Sequence, residues 1–209
     1  MLVLFGNLIQ SGWGVQALVF LAQNRSRAKM KILHTSDLHI GRQFAGFSMG
    51  DDHDAILAQI VDAIRLHDVA VLIIAGDIFD RAAPPASAVR QFNKFNRFLS
   101  RVANETGAAV VMIAGNHDSG DRIASMSIMT DPRRALIRGT LSAEEKPLIL
   151  DDGFGPVALT ALPFAYEYAA RECFNDESIT SPQDVLTRQL DTRNNRDCGG
   201  GMIIWAFRR

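Results

Sequence analysis

The chain has 209 residues, enough for one sizeable domain or for part of a larger protein. Its apolar fraction of 47% and charged fraction of 22% are ordinary for a globular protein, and 22 basic residues nearly balance 23 acidic ones. This balance excludes a chain that binds nucleic acid through net positive charge alone. Any contact with a polyanion therefore needs a local patch, a metal ion or a partner subunit. Cys173 and Cys198 show no paired metal spacing and indicate reduced thiols in the cytoplasm.

The first 29 residues are apolar but interrupted by polar side chains and by three glycines. Their basic residues follow the apolar stretch instead of preceding it, which is the reverse of a secretory signal. A single membrane anchor is the alternative, and the polar interruptions weaken it. Because a compact strand pattern begins at Met30, we expect residues 1–29 to be an upstream extension. The sequence leaves the choice of native start between Met1 and Met30 open.

Residues 30–114 alternate between strand and helix patterns. Three apolar runs of strand length are separated by two segments whose apolar residues recur at helical spacing. The second run is almost continuously apolar, which is typical of a strand covered on both faces. The predicted elements are a strand at 30–36, a helix at 51–66, a strand at 69–75, a helix from 88 that ends near Gly107, and a strand at 109–114. This β-α-β-α-β order predicts a parallel sheet.

The predicted elements become shorter after Asp121. They are a short helix at 123–129, strands at 135–138, 147–150 and 156–161, and helices at 166–173 and 182–190. From Asp191 the chain is polar, then rich in glycine, and no pattern clearly continues the domain. The predicted organisation is an extension at 1–29, a partial domain at 30–190 and an irregular tail at 191–209.

Each of the first three strands is followed at once by polar side chains of the metal-binding type. These are Asp37 and His39 after the first strand, Asp77 after the second, and Asn116 and His117 after the third. The clusters are about 40 residues apart, which accommodates a helix and a return strand, so all three should meet at one edge of the sheet. Carboxylate, imidazole and amide groups suit divalent Mn, Fe, Zn or Mg. The absence of a nearby thiolate argues against structural zinc.

The chemistry of these residue types indicates a site with two metal ions. Asp37 and His39 can reach one ion, Asp77 has two oxygens and can bridge two ions, and Asn116 offers an amide oxygen to the second. Two ions about 3.5–4 Å apart can hold a water, lower its pKa and clamp a phosphate for in-line attack. His117 can stabilise the negative charge of the transition state or protonate the leaving oxygen. Each cluster alone has an ordinary interpretation as a loop, and it is their joint position after strands that favours a site.

The three clusters carry a resemblance to a known family. Residues 37–39, 76–80 and 115–118 resemble the first three motifs of the calcineurin-like metallophosphoesterases. More narrowly, residues 32–42, 76–85 and 162–164 are similar to the SbcD nuclease subunits of bacterial SbcC–SbcD complexes, and the resemblance spans roughly residues 30–190. It implies an α/β fold, a layered β-sandwich flanked by helices in the order α/β/β/α, of which the N-terminal part is present.

The resemblance also implies cofactors and residue roles. Two divalent ions are expected, Mn²⁺ first and Mg²⁺ as the alternative. The implied ligands are Asp37 and His39 for the first ion, Asp77 as the bridge and Asn116 for the second, with His117 acting on the scissile phosphate. Asp80 and Arg81 are expected to support these residues or to contact phosphate, and a loop salt bridge is the equal alternative.

The family activity is ATP-dependent double-strand exonuclease and single-strand endonuclease cleavage in DNA repair and recombination. The implied partners are DNA, an SbcC-like ATPase and a second nuclease subunit. Two other functions stay open from the sequence. One is a phosphoesterase of the same superfamily that acts on a small phosphodiester or a phosphoprotein, and the other is a non-catalytic remnant that binds at most one ion.

The sequence also departs from the family pattern, which contains three further histidines in two later motifs. All five histidines of this chain lie at or before His117. We therefore expect an incomplete set of ligands, above all for the second ion, and a C-terminally truncated or frameshifted product. Of the remaining histidines, His34 is expected to pack inside its strand, whereas His53 and His67 are expected to be solvated.

Overall fold

The computed structural model describes residues 4–10, 16–22, 30–194 and 202–207, with side chains for 30–191 apart from Met129. The elements in these ranges, in chain order, are β1 Leu4–Gln10, β2 Gln16–Ala22, β3 Ile32–Thr35, β4 Gln43–Phe44, β5 Phe47–Ser48, α1 Gly50–Leu66, β6 Val71–Ala75, α2 Ala86–Thr106, β7 Ala109–Ile113, α3 Gly120–Ser125, a 3₁₀ helix Met126–Met129, β8 Ala135–Arg138, β9 Leu148–Asp151, β10 Pro156–Leu162, α4 Glu167–Phe174, α5 Pro182–Asn194 and β11 Met202–Phe207. None of the helices in this part of the chain is long and apolar enough to cross a membrane.

The strands form a six-stranded sheet and a smaller three-stranded sheet. The larger sheet has the order β1-β2-β3-β6-β7-β8, and its four strands from β3 to β8 are parallel. The register sets Ile32 opposite Val71, and Val71 opposite Ala109. The smaller sheet has the order β11-β10-β9. Because β3, β6 and β7 run in the same direction, the loops that follow them leave from the same edge, as the sequence predicts.

The parallel part of the larger sheet, from β3 to β8, is largely buried on both faces, and alternate residues of each of these strands point to opposite sides. On one side Leu72 and Ile74 join the core formed with α1 and α2. On the other side Val71 and Ile73 join the core that contains Val157 and further residues of β9 and β10. These two cores give the layer order helix, sheet, sheet, and the α/β fold predicted from the motifs is confirmed.

The helices of the first half match the sequence pattern closely. The predicted helix at 51–66 is α1. Acidic Asp51 and Asp52 lie in its first turn, where their negative charges interact favourably with the positive end of the helix dipole. The second helix, α2, ends at Thr106. Gly107 follows in the left-handed conformation at φ 81°, and its N–H donates to the carbonyl oxygen of Ala103.

The structure differs from the sequence prediction at the two ends of the chain. Helix α5 continues to Asn194, and β11 pairs in parallel with β10, where an irregular tail was predicted. The run from Ile203 to Trp205 is rich in β-branched and aromatic residues, which suit a strand. At the other end, β1 and β2 pair with each other, and β2 pairs with β3. The division of the chain into an extension, a domain and a tail stays a prediction.

Candidate metal centre

Hydrogen bonds between backbones bring the loops after β3 and β6 together. The N–H of Asp37 donates to the carbonyl oxygen of Gly76 at 3.1 Å, and the N–H of His39 donates to that of Asp77 at 2.9 Å. The loop after β7 joins them, because the N–H of His117 donates to Oδ1 of Asp77 at 3.1 Å. The structure therefore places the three polar clusters at one site, as the strand order predicts.

Three of the residues in these loops have a strained backbone. Asp37, His39 and Asp77 have φ angles of 58°, 45° and 48°, in the left-handed region that residues with a side chain seldom adopt. Such strain costs on the order of 1–3 kcal/mol per residue and persists only where the surroundings impose it. The cross-loop hydrogen bonds impose it here, and the strained positions coincide with the predicted metal ligands.

The side chain of Asp77 is fully buried at the centre of the site. His39 Nε2 lies 3.6 Å from Oδ2 of Asp77 and 3.6 Å from Oδ1 of Asp37. On the other side, His117 Nε2 lies 4.0 Å from Oδ2 of Asp77. The rings of His39 and His117 meet edge to face, with their centroids 4.9 Å apart. Three predicted site residues, His39, Asp77 and His117, thus bring donor atoms close together, and Asp37 adjoins this group through His39.

The spacing of these atoms fits a divalent ion. Imidazole nitrogens and carboxylate oxygens bind such ions at roughly 2.0–2.2 Å, so two ligands of one ion lie about 3–4 Å apart. Donor atoms of His39, Asp77 and His117 all lie within 4.8 Å of one another, and across the described residues this is the one such group of three. Asn116 is exposed and lines a neighbouring cavity. The donors present fit one ion, and a second ion at Asn116 stays a prediction.

Asp80 lies next to the Nδ1 atoms of both His39 and His117. Its carbonyl oxygen is 3.0 Å from Nδ1 of His117, so Nδ1 must carry the proton of this hydrogen bond and Nε2 faces the site. The carboxylate of Asp80 lies 3.8 Å from Nδ1 of His39. The guanidinium of Arg81 is 3.7 Å from the same carboxylate and largely exposed. Asp80 thus orients His117, whereas Arg81 is accessible to a ligand from solvent; their functional roles stay predictions.

Comparison with known proteins decides the family. Residues 30–185 match the sequence profile of the calcineurin-like phosphoesterases. The chain belongs to the calcineurin-like phosphoesterase family. This is a family of metal-dependent hydrolases that use two metal ions, and the resemblance of the three motifs to it is confirmed.

The individual relatives are nuclease subunits from bacteria. The SbcD subunit of the SbcCD nuclease from Staphylococcus saprophyticus is 32% identical over 161 residues, which cover 77% of this chain and 41% of that protein. The protein of the same name from Escherichia coli K12 is 37% identical over 164 residues, which cover 77% of this chain and 35% of that protein. The chain therefore spans less than half the length of these relatives.

Asp118 holds two of the three loops together, a role that the sequence pattern did not indicate. The carboxylate of Asp118 accepts hydrogen bonds from the N–H groups of Ile78 at 3.1 Å, Phe79 at 2.9 Å and Gly115 at 2.9 Å. It thereby ties the loop after β6 to the loop after β7. Burial raises the pKa of Asp118, and the three N–H donors oppose that shift. The signal in the sequence was an acid directly after Asn116-His117 in a glycine-flanked loop.

We expect Asp118→Ala to lower the free energy of unfolding by about 3–5 kcal/mol, because it leaves three partly buried N–H groups without their acceptor. Asp118→Asn keeps one acceptor oxygen and should cost less. Denaturant unfolding of both variants measures the difference. Asp62→Ala removes an exposed carboxylate from α1 and serves as the control. If Asp118→Ala unfolds at the same denaturant concentration as the control, the three hydrogen bonds do not hold the loops together.

The structure corrects the prediction for His53. Its side chain was expected to be solvated, but His53 is 4% exposed, and burial lowers its pKa. It lies in the first turn of α1, and its side chain interacts with the backbone of Leu38 and with His39, in the loop after β3. His34 is half-buried in β3, and burial lowers its pKa as well, in keeping with the packed position expected for it.

Proposed function

We propose that this chain carries the phosphodiester-hydrolysing site of an SbcD-type DNA nuclease. The observation that carries the proposal is the fully buried carboxylate of Asp77, which lies between His39 and His117 where three parallel strands end. A phosphodiester is anionic and resists attack by water, so its hydrolysis needs cationic stabilisation and an acid for the leaving oxygen. The names of the relatives, which are nuclease subunits, support nucleic acid as the substrate.

The roles of the side chains follow from the geometry. Asp37, His39 and Asp77 would hold a divalent ion, Mn²⁺ first and Mg²⁺ as the alternative, and Asn116 would add an amide oxygen toward a second ion. Such ions lower the pKa of bound water and neutralise phosphate charge. His117 keeps its Nδ1–H on the carbonyl oxygen of Asp80. In its protonated form it would therefore present Nε2–H to the leaving oxygen and release a proton there.

The wider biological role is proposed from the same relatives. Their names place them in an SbcCD assembly, so an SbcC-like ATPase and DNA are the proposed partners, with pairing of two nuclease subunits as a further expectation. The proposed activity is double-strand exonuclease and single-strand endonuclease cleavage in DNA repair and recombination. Arg81 is 65% exposed at the rim of the site and is the proposed contact to a DNA phosphate.

A second candidate function is binding of one ion without hydrolysis. It is favoured by the grouping of the described donors around Asp77, with Asn116 exposed beside a separate cavity. In this candidate His117 acts as a ligand of the ion through Nε2. The two candidates therefore assign different roles to the same imidazole.

Replacement of His117 by glutamine separates the two candidates. If His117 is the acid, His117→Gln should lower Mn²⁺-dependent cleavage of a fluorescent DNA oligonucleotide by about 10²- to 10⁴-fold, while Mn²⁺ affinity changes by less than about threefold. Cleavage is followed on gels and Mn²⁺ affinity by electron paramagnetic resonance. His67→Gln, at the opposite end of α1, is the matched control and should leave both unchanged. No cleavage by the unsubstituted chain, together with weaker Mn²⁺ binding by His117→Gln, would reject the nuclease proposal in favour of the second candidate.

A further inference from the structure

A row of three aromatic side chains begins where β10 ends. The rings of Phe164 and Tyr166 meet edge to face with their centroids 5.0 Å apart. The rings of Tyr166 and Tyr168 are nearly parallel, with an interplanar angle of 11° and centroids 5.7 Å apart. Tyr166 is 52% exposed and Tyr168 is 64% exposed. Two large, flat, parallel rings are thus presented to solvent, and neither is needed to fill the core.

The backbone fixes this row beside the metal centre. The N–H of Phe164 donates to the carbonyl oxygen of Ala114 at 3.0 Å, two residues before Asn116. Tyr166 is the residue that precedes α4, and its carbonyl oxygen accepts the N–H of Ala170 at 3.1 Å. Since both ends of the segment are held by secondary structure, the aromatic row keeps a defined position relative to the third metal-binding loop.

A cavity of about 480 Å³ is shared by the loop after β7 and the aromatic row. Its lining includes Asn116 and Asp118 from that loop and Phe164 and Tyr166 from the row. This volume lies within the range of about 300–1,000 Å³ that is usual for pockets that hold small organic groups. The group that enters this cavity would therefore contact a predicted metal ligand and an aromatic ring at the same time.

The charges around the cavity select a neutral group. The carboxylate side chains that line it are Asp118 and Glu172, and no lysine or arginine is among its described lining residues. A phosphate would be repelled here unless a metal ion accompanied it. A flat, uncharged, polarisable ring matches both the acidic rim and the exposed tyrosine faces. Nucleobases are rings of this kind, and they stack on aromatic side chains with little dependence on sequence.

We propose that this cavity is a subsite for an unpaired nucleobase, with Tyr166 as the stacking residue and Tyr168 as its extension toward solvent. The base would belong to the nucleotide next to the phosphate at the metal centre. The inference rests on the proposed nuclease function and deepens it, because it assigns the site a preference for frayed or single-stranded ends over paired ones. A base inside a duplex is stacked on its neighbours and has no free face for Tyr166.

Single-stranded oligonucleotides that contain 2-aminopurine test this subsite, since stacking on an aromatic ring quenches their fluorescence. Binding is measured by anisotropy in CaCl₂, and gels check that the probe stays intact. Tyr166→Leu should weaken binding by about 5- to 100-fold and abolish the quenching. Tyr166→Phe keeps the ring and should stay within about twofold of the unsubstituted chain.

The matched control is Phe154→Leu. Phe154 is 54% exposed, close to the 52% of Tyr166, but it lies near the other end of β10, about 20 Å along the strand. The Phe154→Leu variant should bind the oligonucleotide as tightly as the unsubstituted chain does. An oligonucleotide that lacks the base at one position should bind the unsubstituted chain about 5- to 100-fold more weakly than the intact probe does. Equal binding by Tyr166→Leu, equal binding of the abasic probe, or no binding of any oligonucleotide would overturn the base subsite.

The outcome for the subsite is distinguishable from that for the nuclease function. If the chain discriminates the base from the abasic probe but cleaves no DNA with MnCl₂, the base subsite stands and the hydrolytic function fails. If the chain cleaves DNA but treats both probes alike, the nuclease function stands and the base subsite is wrong.

Discussion

Replacement of Asp77 by asparagine is expected to weaken Mn²⁺ binding by at least about a hundredfold. The carboxylate of Asp77 is fully buried, and its Oδ2 atom faces the Nε2 atoms of both His39 and His117. It is therefore the one charged ligand that can contact an ion from the centre of the group. The amide of asparagine has the same shape but carries no charge, and it offers a single oxygen in place of two. The loss of an outer support alone typically costs 10–100-fold in metal affinity, so loss of the central ligand should exceed that.

Titration with MnCl₂ under electron paramagnetic resonance measures this effect directly, because free Mn²⁺ gives the signal and bound Mn²⁺ does not. Asp62→Asn neutralises an exposed carboxylate on α1 and controls for the change in net charge. The variant at position 77 should still fold, since its amide oxygen can accept the N–H of His117 as Oδ1 of Asp77 does. Affinity within threefold of the unsubstituted chain would show that the ion binds elsewhere.

Replacement of Gly139 by alanine is expected to lower the free energy of unfolding by about 4 kcal/mol or more. Gly139 follows β8, and α3 packs directly against it. A Cβ at this position would overlap the carbonyl oxygen of Gly120 and approach the backbone nitrogen of Ala124 to 2.5 Å. Both obstacles are backbone atoms of one short helix, so neither can swing aside as a flexible side chain would. Overpacking of this kind costs typically 1–3 kcal/mol where side chains can adjust, and more where they cannot.

Gly50→Ala is the matched control for this substitution. An added Cβ there would meet only the hydroxyl oxygen of Ser48, at 3.3 Å, at the start of α1. Its unfolding free energy should stay within about 1 kcal/mol of the unsubstituted value. The comparison is made by urea unfolding at one temperature. If Gly139→Ala unfolds at the same urea concentration as Gly50→Ala, the close packing of α3 on the end of β8 is wrong.

The first half of the fold is predictable because its signals are local. The apolar run of β6 and the helical spacing of Phe92, Phe95 and Leu99 each identify an element without knowledge of its partner. Parallel order then follows from the alternation of elements, and it places Asp37, Asp77 and His117 at one edge. The meeting of these residues at one edge is therefore predictable from the sequence, whereas their roles in metal binding stay predictions.

The remaining features depend on contacts that are distant in sequence. Asp118 has its role because the N–H groups of Ile78 and Phe79, about 40 residues away, point at its carboxylate. The composition of β11 suits a strand, but its position beside β10 follows only from their pairing. For these features the physical cause is tertiary. His53 is different, because its burial follows from helical spacing, which places it on the apolar face of α1 although its neighbours in the first turn are acidic.

We propose that the three loops form a metal-dependent phosphodiesterase site. The most direct test is cleavage of a fluorescent single-stranded DNA oligonucleotide by the purified chain, with MnCl₂ in one reaction and excess EDTA in the other. We predict shortened products with MnCl₂ and none with EDTA, and loss of those products in Asp77→Asn. Products of equal yield in both reactions, or no products at any MnCl₂ concentration, would contradict the claim.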